Sequence, residues 1–369
     1  MRFLERERAT VEKLLPGLDE SLRTVPFTEL EGASSPGVRL FRDSGGPGLL
    51  VPESSRGLGA TALDALRVQR ALGSRSPSLA VATAVHHLSM ATLVAQAAAT
   101  NDGGLGWMLV EGVAADNRLM AFGFAEERPG AGILSPSMTA AVDDDGVRIG
   151  GVTRAGGLAR SMDLLIVSVM APRVEGPGEE LAVALVPADS EGVSVSGAES
   201  EHVTLDDVLL APELLVRASD LDGQLDALLT AGFAWFQLLL TGGYLGAASA
   251  LVERVLLDDR VPESERVRLL VDVEGAMSAA ESIARRIDES GPDESTLADS
   301  LYVRYFVQDT ISRVTPRAVE LIGDLSSLAT DEVGYLATCA HGLDLQPPTR
   351  LQMTGPLAAY LVDGPLTIA

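Results

Sequence analysis

Residues 138–151 read MTAAVDDDGVRIGG. Two short runs, 138–142 and 146–149, flank Asp143-Asp144-Asp145-Gly146. Asp and Gly tolerate the dihedrals that a tight turn needs, so the stretch reads as a β-hairpin. The pattern continues outward in both directions. A run at 119–124 precedes it, and runs at 164–170, 181–187, 193–195 and 201–208 follow. Each is short and bounded by Gly, Pro, Asp or Ser. Alternation and turn residues at this spacing predict a compact β-unit over 119–220.

On either side the period changes. Before the β-unit, residues 60–100 are rich in Ala, Leu and Val, with Ala62, Leu63, Leu66, Val68 and Leu72 at helical spacing. Residues 79–85 are apolar nearly all round, which predicts a buried helix. Residues 48–53 read as a strand or turn entering a Gly-rich bend at 56–59. The segment 1–118 is therefore expected to be mostly helical. After Asp220, residues 225–258, 263–289 and 295–322 each place apolar residues three and four apart. Their connections, 258–262 and 290–294, are short and polar, as between antiparallel helices of a bundle over 221–369. No internal repeat is visible.

Composition narrows the function. The chain has 369 residues and a net charge of −24. Phosphate binding needs a basic footprint, so nucleic acid is not the expected partner. Lys13 is the single lysine, and no Gly-Lys-Ser/Thr phosphate loop is present. One cysteine, Cys339, excludes an internal disulfide framework and fits a reducing compartment. The first eight residues, MRFLERER, are charged and lack the apolar core of a secretory signal. The apolar stretches at 79–94 and 233–255 are interrupted by polar residues or glycines, unlike a membrane span. A cytoplasmic protein is expected.

The helix, β, helix order acquires a family from local sequence. Residues 49–59, LLVPESSRGLG, resemble the apolar-Pro-Glu and Gly-Gly-Leu-Gly loop of acyl-CoA dehydrogenases. Ser76-Pro77-Ser78-Leu79-Ala80, with Val85-His86-His87, is similar to that family's next helix. Residues 124–132, FAEERPGAG, resemble the Thr-Glu-Pro-x-x-Gly-Ser-Asp segment that opens its β-domain. Thr139-Ala140-Ala141 and residues 145–151 resemble its Thr-x-Ala and Ile-Asn-Gly run. Residues 203–212 resemble the exit motif ending in Asp-Val-x-Val-Pro. The resemblance implies an α+β, acyl-CoA dehydrogenase-like fold. Its parts are an N-terminal helical domain (1–118), a central small β-barrel domain (119–220) and a C-terminal four-helix bundle (221–369).

The resemblance also implies a chemistry. Such enzymes bind FAD and oxidise an acyl thioester, on coenzyme A or a carrier protein, at Cα–Cβ. A carboxylate removes the α-proton, and the hydride chemistry belongs to the flavin. In the matching C-terminal segment Asp363 stands at the base position, one methylene shorter than the usual Glu. The FAD-contact positions become Ala125, Glu126, Gly132, Gly157, Arg260, Glu320 and Gly323. Several depart from the family. Ala155 and Gly157 replace an aromatic wall and a hydroxyl. Arg260-Val261-Pro262-Glu263 keeps only the arginine of Arg-x-x-Phe-Gly. Glu320 and Asp324 put carboxylates into Gln-x-x-Gly-Gly, where a pyrophosphate would be repelled. Two other readings follow from these departures. One is a flavin-independent member doing acid/base chemistry in specialised metabolism. The other is a non-catalytic partner of a second family chain. A homodimer or tetramer is expected, or a heteromer with such a chain.

The remaining candidates have plainer readings. His86-His87 lies on the buried helix, which favours packing with a satisfied imidazole over a pocket role. No His, Cys or acidic partner stands at metal-ligand spacing. Cys339 and His341 are two apart and face different sides of a helix, so a structural cysteine is expected. Trp235-Phe236 reads as core or as pocket wall. Gly242-Gly243 permits close helix packing or close approach of a substrate.

Overall fold

The computed structural model describes residues 2–99, 104–123, 136, 138–143, 145–155, 157–197, 202–221, 225–323 and 331–368. Helices dominate up to Ala115: α1 (Glu5–Leu14), α2 (Leu18–Thr24), α3 (Phe27–Leu30), α4 (Gly37–Asp43), α5 (Ala62–Arg75), α6 (Pro77–Ala99) and α7 (Leu105–Ala115). The loop at 46–60 is turn rather than strand. Two 3₁₀ turns, Gly46–Gly48 and Glu53–Ser55, fold it back so that the amides of Leu58, Gly59 and Ala60 bond to Gly48, Val51 and Leu49. Thr61 then caps α5, its hydroxyl accepting from the amide of Asp64. α6 is apolar nearly all round because it is enclosed by α5, α7, a long C-terminal helix and the first strand.

The strands are β1 (Met120–Gly123), β2 (Met138–Asp143), β3 (Gly146–Arg154), β4 (Leu164–Pro172), β5 (Glu179–Pro187), β6 (Val193–Ser196), β7 (His202–Leu210) and β8 (Leu215–Arg217). They form one sheet in the order β6-β7-β3-β2-β4-β5-β8, with β1 parallel to β4. The expected hairpin is β2–β3, with Asp143 opposite Gly146. Asp143 Oδ1 accepts the amides of Asp145 and Gly146 at 2.9 and 3.2 Å, an Asx turn that fixes the register. The expected barrel is corrected to an open sheet among the described residues. The strand path ends on β6 and β8, which do not pair with each other. Both are short, four and three residues, and neither reaches round to close the sheet.

Beyond the sheet lie α8 (Leu225–Leu257), α9 (Glu263–Ser290), α10 (Glu294–Ile322), α11 (Asp331–Ala340) and α12 (Arg350–Tyr360). The end of α10 meets the start of α9 through Arg317 and Glu265, 3.0 Å apart. Arg286 of α9 reaches Asp299 near the start of α10. α9 and α10 are therefore antiparallel. Within 221–369, α11 packs on α8 and α10 beside the three long helices. α8 and α9 also pack against α5 of the N-terminal segment. α5 lies along α9, with the amide of Ala62 on Asp288 at 2.5 Å, Arg67 on Glu281 at 3.0 Å and Arg70 on Glu274 at 2.7 Å.

α5 also touches α8 backbone to backbone. A Cβ on Gly73 would stand 1.9 Å from the carbonyl oxygen of Gly243, and one on Gly246 would stand 2.3 Å from that of Arg70. Gly242-Gly243 thus serves helix packing. Arg70 is fully buried at this crossing. It is satisfied by Glu7 at 2.8 Å, Glu274 at 2.7 Å and Ser249 at 3.2 Å, so its charge is paired rather than stranded. α6 and residues 227–257 are long and apolar enough to cross a membrane. Their apolar windows are 78% and 89% buried against the rest of the protein, which accounts for that apolarity.

Candidate functional site

The site is built where the first helices meet the sheet. His86 of α6 sits at this seam, fully buried. Its Nε2 lies 2.9 Å from the carbonyl oxygen of Pro47, so it donates there. Its Nδ1 accepts the amide of Met120, the first residue of β1, at 3.0 Å. Both ring nitrogens are used, and the tautomer follows from the partners. Burial depresses its pKa to about 4, against the two backbone hydrogen bonds. His86 is a neutral bracket holding β1 on the helices. Asp163 adds a second clamp. It accepts the amide of Leu119 at 2.7 Å and pairs with Arg42 at 3.0 Å, while Arg42 also donates to the Ser161 carbonyl at 2.6 Å.

β1 runs from this bracket along α6 and α8. Phe122 stands edge-to-face with Phe233 of α8, centroids 6.4 Å apart, and Phe233 stands likewise with Phe236 at 6.2 Å. All three rings are buried, and Trp235 beside them is partly exposed. Phe236 is thus core, and Trp235 is the member of the pair that a ligand can reach. This wall is apolar and water-poor, and no carboxylate of the described residues is buried in it.

The described residues that resemble FAD contacts divide into two groups. Gly157, shortly after β3, has φ +84, and an added Cβ would meet nothing within 4 Å. Ala155 beside it is fully buried. Gly157 faces open space just past the end of β3, whereas Ala155 is packed. Arg260, Glu320 and Gly323 lie at the other end of the bundle. Arg260 is gripped by Asp258 through Nε at 2.9 Å and Nη2 at 2.7 Å. Glu320 takes Arg317 at 2.6 Å, and Arg317 also holds Glu265. Its two carboxylates raise the pKa of Arg317 well above the usual arginine value, chiefly through hydrogen bonds. Gly323 caps α10 in a left-handed conformation, φ +44. These groups satisfy one another and offer carboxylates, which do not fit a pyrophosphate.

Asp363 lies elsewhere. It follows α12 on a turn with φ +62, and its side chain is exposed. Three residues on, the amide of Leu366 bonds to Glu294, the first residue of α10. Asp363 and Glu320 thus sit at opposite ends of a 29-residue helix, roughly 40 Å apart at 1.5 Å per residue. One chain does not gather them into one site. Ala125, Glu126 and Gly132 lie outside the described residues.

Two side chains escape the sequence reading. His87 is fully buried, yet neither ring nitrogen finds a protein partner. It packs on the Phe41 and His86 rings instead, so the satisfied imidazole holds for His86 alone. Arg304 of α10 is also fully buried, and among the described residues it makes no salt bridge, Asp344 acting on it only through space. Its guanidinium donates to the carbonyls of Leu343, at 2.8 Å, and Gln346, and to Gln237 of α8. Desolvation lowers its pKa to about 10. It ties the 3₁₀ turn His341–Leu345 and the entry to α12 onto the bundle. The signal was an arginine at core spacing, in register with Leu297, Leu301 and Ile311. Cys339 is a structural thiol. Burial, with Glu31 nearby, pushes its pKa up to about 12.

No family model matches the chain. Among curated proteins, the isobutylamine N-hydroxylase of Streptomyces viridifaciens is 40% identical over 381 residues, covering all of both chains. FMN-bound TdsC from Paenibacillus sp. A11-2 has the same fold, with a TM-score of 0.77 at 17% identity, over 100% of this chain and 99% of that one. Glutaryl-coenzyme A dehydrogenase in complex with glutaryl-CoA superposes with a TM-score of 0.74 at 18% identity, over 100% and 96%.

Proposed function

Because the chain belongs to the acyl-CoA dehydrogenase family, we propose that it is a flavin-dependent monooxygenase that hydroxylates the nitrogen of a small aliphatic primary amine. It is an enzyme and an oxidoreductase; the amine is the specific part of the proposal. The observation that carries it is the full-length likeness to an N-hydroxylase.

The overall step consumes the amine, dioxygen and two electrons with two protons from reduced flavin. It yields the hydroxylamine, water and oxidised flavin. When bound, the flavin supplies the reduction of dioxygen; the chain supplies the setting. The buried Phe122, Phe233 and Phe236 rings back the seam of β1 and α8, so an amine bound beside the partly exposed Trp235 would be kept largely from water. An amine attacks through its lone pair and must be neutral to do so. A wall without a buried carboxylate disfavours the ammonium form. His86 takes no part in proton transfer, since both nitrogens bond to backbone. The family resemblance assigns Gly157 to the flavin ring, and the absence of any neighbour within 4 Å of an added Cβ there is compatible with that assignment.

The alternative is FAD-dependent dehydrogenation of an acyl thioester, with Asp363 as base. What favours that reading is the shared fold and the carboxylate at the C-terminal turn. One experiment separates the two. The purified protein is given reduced flavin, oxygen and isobutylamine or other small primary amines, and products are read by mass. A gain of one oxygen on the amine is expected. No oxygenated amine, together with enoyl product from an acyl-CoA panel and an electron acceptor, would sink the proposal. In that case Asp363→Asn should abolish turnover.

A further inference from the structure

We propose that Arg304 is a positioning residue: through Gln237 it fixes the rotation of α8, and so where Trp235 stands in the proposed amine site. The kinetic part of this inference rests on the amine reading; the placement of Trp235 does not. Arg304 differs from Arg70, which is buried as completely. Arg70 is neutralised by Glu7 and Glu274, whereas every hydrogen bond of Arg304 goes to a neutral oxygen. Burying a charge without a counter-charge is costly, and an apolar side chain of similar volume would fill the same space. What an apolar residue cannot do is join separate elements through one planar, rigid group.

Arg304 joins three. Rooted in α10, it donates through Nη2 to the carbonyls of Leu343, at 2.8 Å, and Gln346 in the segment after α11. Gln308, one turn further along α10, donates to the same Leu343 carbonyl at 3.0 Å and holds that segment independently. Nη1 donates to Oε1 of Gln237 on α8. Gln237 is fully buried, and its Nε2 has no partner among the described residues. Its side-chain amide is therefore held at the oxygen alone, by Arg304.

Gln237 and Trp235 are two residues apart, so at 100° per residue they leave nearly opposite sides of α8. Gln237 is buried and Trp235 partly exposed, in keeping with that. Glycine contacts set how near the other helices come. A Cβ on Gly232 would stand 2.1 Å from Oγ1 of Thr92 on α6, and one on Gly73 would stand 1.9 Å from the Gly243 oxygen. Smooth contacts of this kind fix distance better than rotation, whereas a directional bond at Gln237 fixes rotation. A turn of about 10° would move a side-chain tip about 6 Å from the helix axis by about 1 Å. A misplacement of that size in a substrate pocket is enough to change binding and rate.

The test removes the link and keeps the arginine. Gln237→Leu preserves volume and leaves the bonds from Arg304 to Leu343 and Gln346 in place. Gln237→Glu keeps the link as an ion pair. Trp107 and Trp235 are the two tryptophans, so Trp107→Phe makes Trp235 the sole emitter and its fluorescence reads its surroundings without flavin or turnover. In that background Gln237→Leu should shift the Trp235 emission maximum. It should also raise KM for isobutylamine several-fold, more than it lowers kcat, with the helical circular dichroism kept. Gln237→Glu should retain the parent emission and KM. Should Gln237→Leu fail to fold, Gln237→Met takes its place and is read the same way. Unchanged Trp235 emission on loss of the link overturns the proposal, whether or not an amine is turned over. So does an equal shift in Gln237→Glu, or a loss of activity that only follows loss of folded protein. A shifted emission without oxygenated amine would strike the amine reading and uphold the placement of Trp235 by Arg304.

Discussion

His86 and His87 adjoin in sequence, yet one is bonded at both nitrogens and the other at neither. Both are neutral when folded, because burial lowers their pKa values, that of His86 to about 4. An unfolded histidine titrates near 6.5, so between pH 6.5 and 4 the unfolded state binds protons that the folded state refuses. Stability should therefore be complete above about pH 6.5 and fall as pH drops toward 4. His86 alone contributes on the order of 3 kcal/mol to that loss. Denaturant unfolding at pH 7 and pH 5 measures the slope. His86→Asn with His87→Leu should flatten it, and an unchanged slope would assign it to other groups. His87→Leu alone should leave Tm unchanged or raise it, since it removes an unsatisfied buried imidazole. A fall of more than about 1 kcal/mol would mean that the ring has a partner. The sequence showed that this pair was buried. Which nitrogen met which carbonyl depended on Pro47 and Met120, 39 residues before and 34 after, and no local pattern carries that.

At the scale of elements, period and turn chemistry made most of the fold legible. The three long helices at 225–257, 263–290 and 294–322 begin and end within a residue of where the apolar spacing puts them. β8 was missed because three residues are too few to alternate. The role of α5 was missed for a different reason. Its amphipathic pattern announces a buried face but not which domain it faces. Gly73 and Gly246 decide that, by letting α5 and α8 touch at the backbone. Gly73→Ala should therefore be severely destabilising, by about 3 kcal/mol or more, because its Cβ overlaps a carbonyl oxygen that cannot turn aside. Gly275→Ala on α9 meets nothing within 4 Å and should stabilise by up to about 1 kcal/mol. Thermal unfolding of the two variants provides the comparison. If both move Tm equally and in the same direction, the crossing is looser than it looks.

Across the whole molecule, the order of parts was readable while the site was not. The motifs that carry the scaffold are local, so a strand or loop can be recognised from its own residues. The positions that resemble functional residues are instead distributed: Glu320 lies at one end of α10, and Asp363, the residue at the base position, lies near the other end, roughly 40 Å away. Spacing in the sequence gave no hint of this, because Asp363 returns to the start of α10 only through α12 and the bond from Leu366 to Glu294. The separation has a consequence for binding. On the family resemblance, the adenylate half of an FAD would meet Glu320 and Glu265, and its ring end would meet Ala155 and Gly157. Glu320→Gln restores the amide usual in the family and removes one negative charge from beside Arg317. It should tighten FAD several-fold at low ionic strength and less as salt is raised, because exposed charges are screened. FMN has no adenylate half to sense the change, so its affinity should stay the same. Fluorescence titration of the two flavins reads both numbers without turnover. Equal tightening of FMN and FAD would place the effect at the ring end, and no change in either would remove Glu320 from the flavin's surroundings.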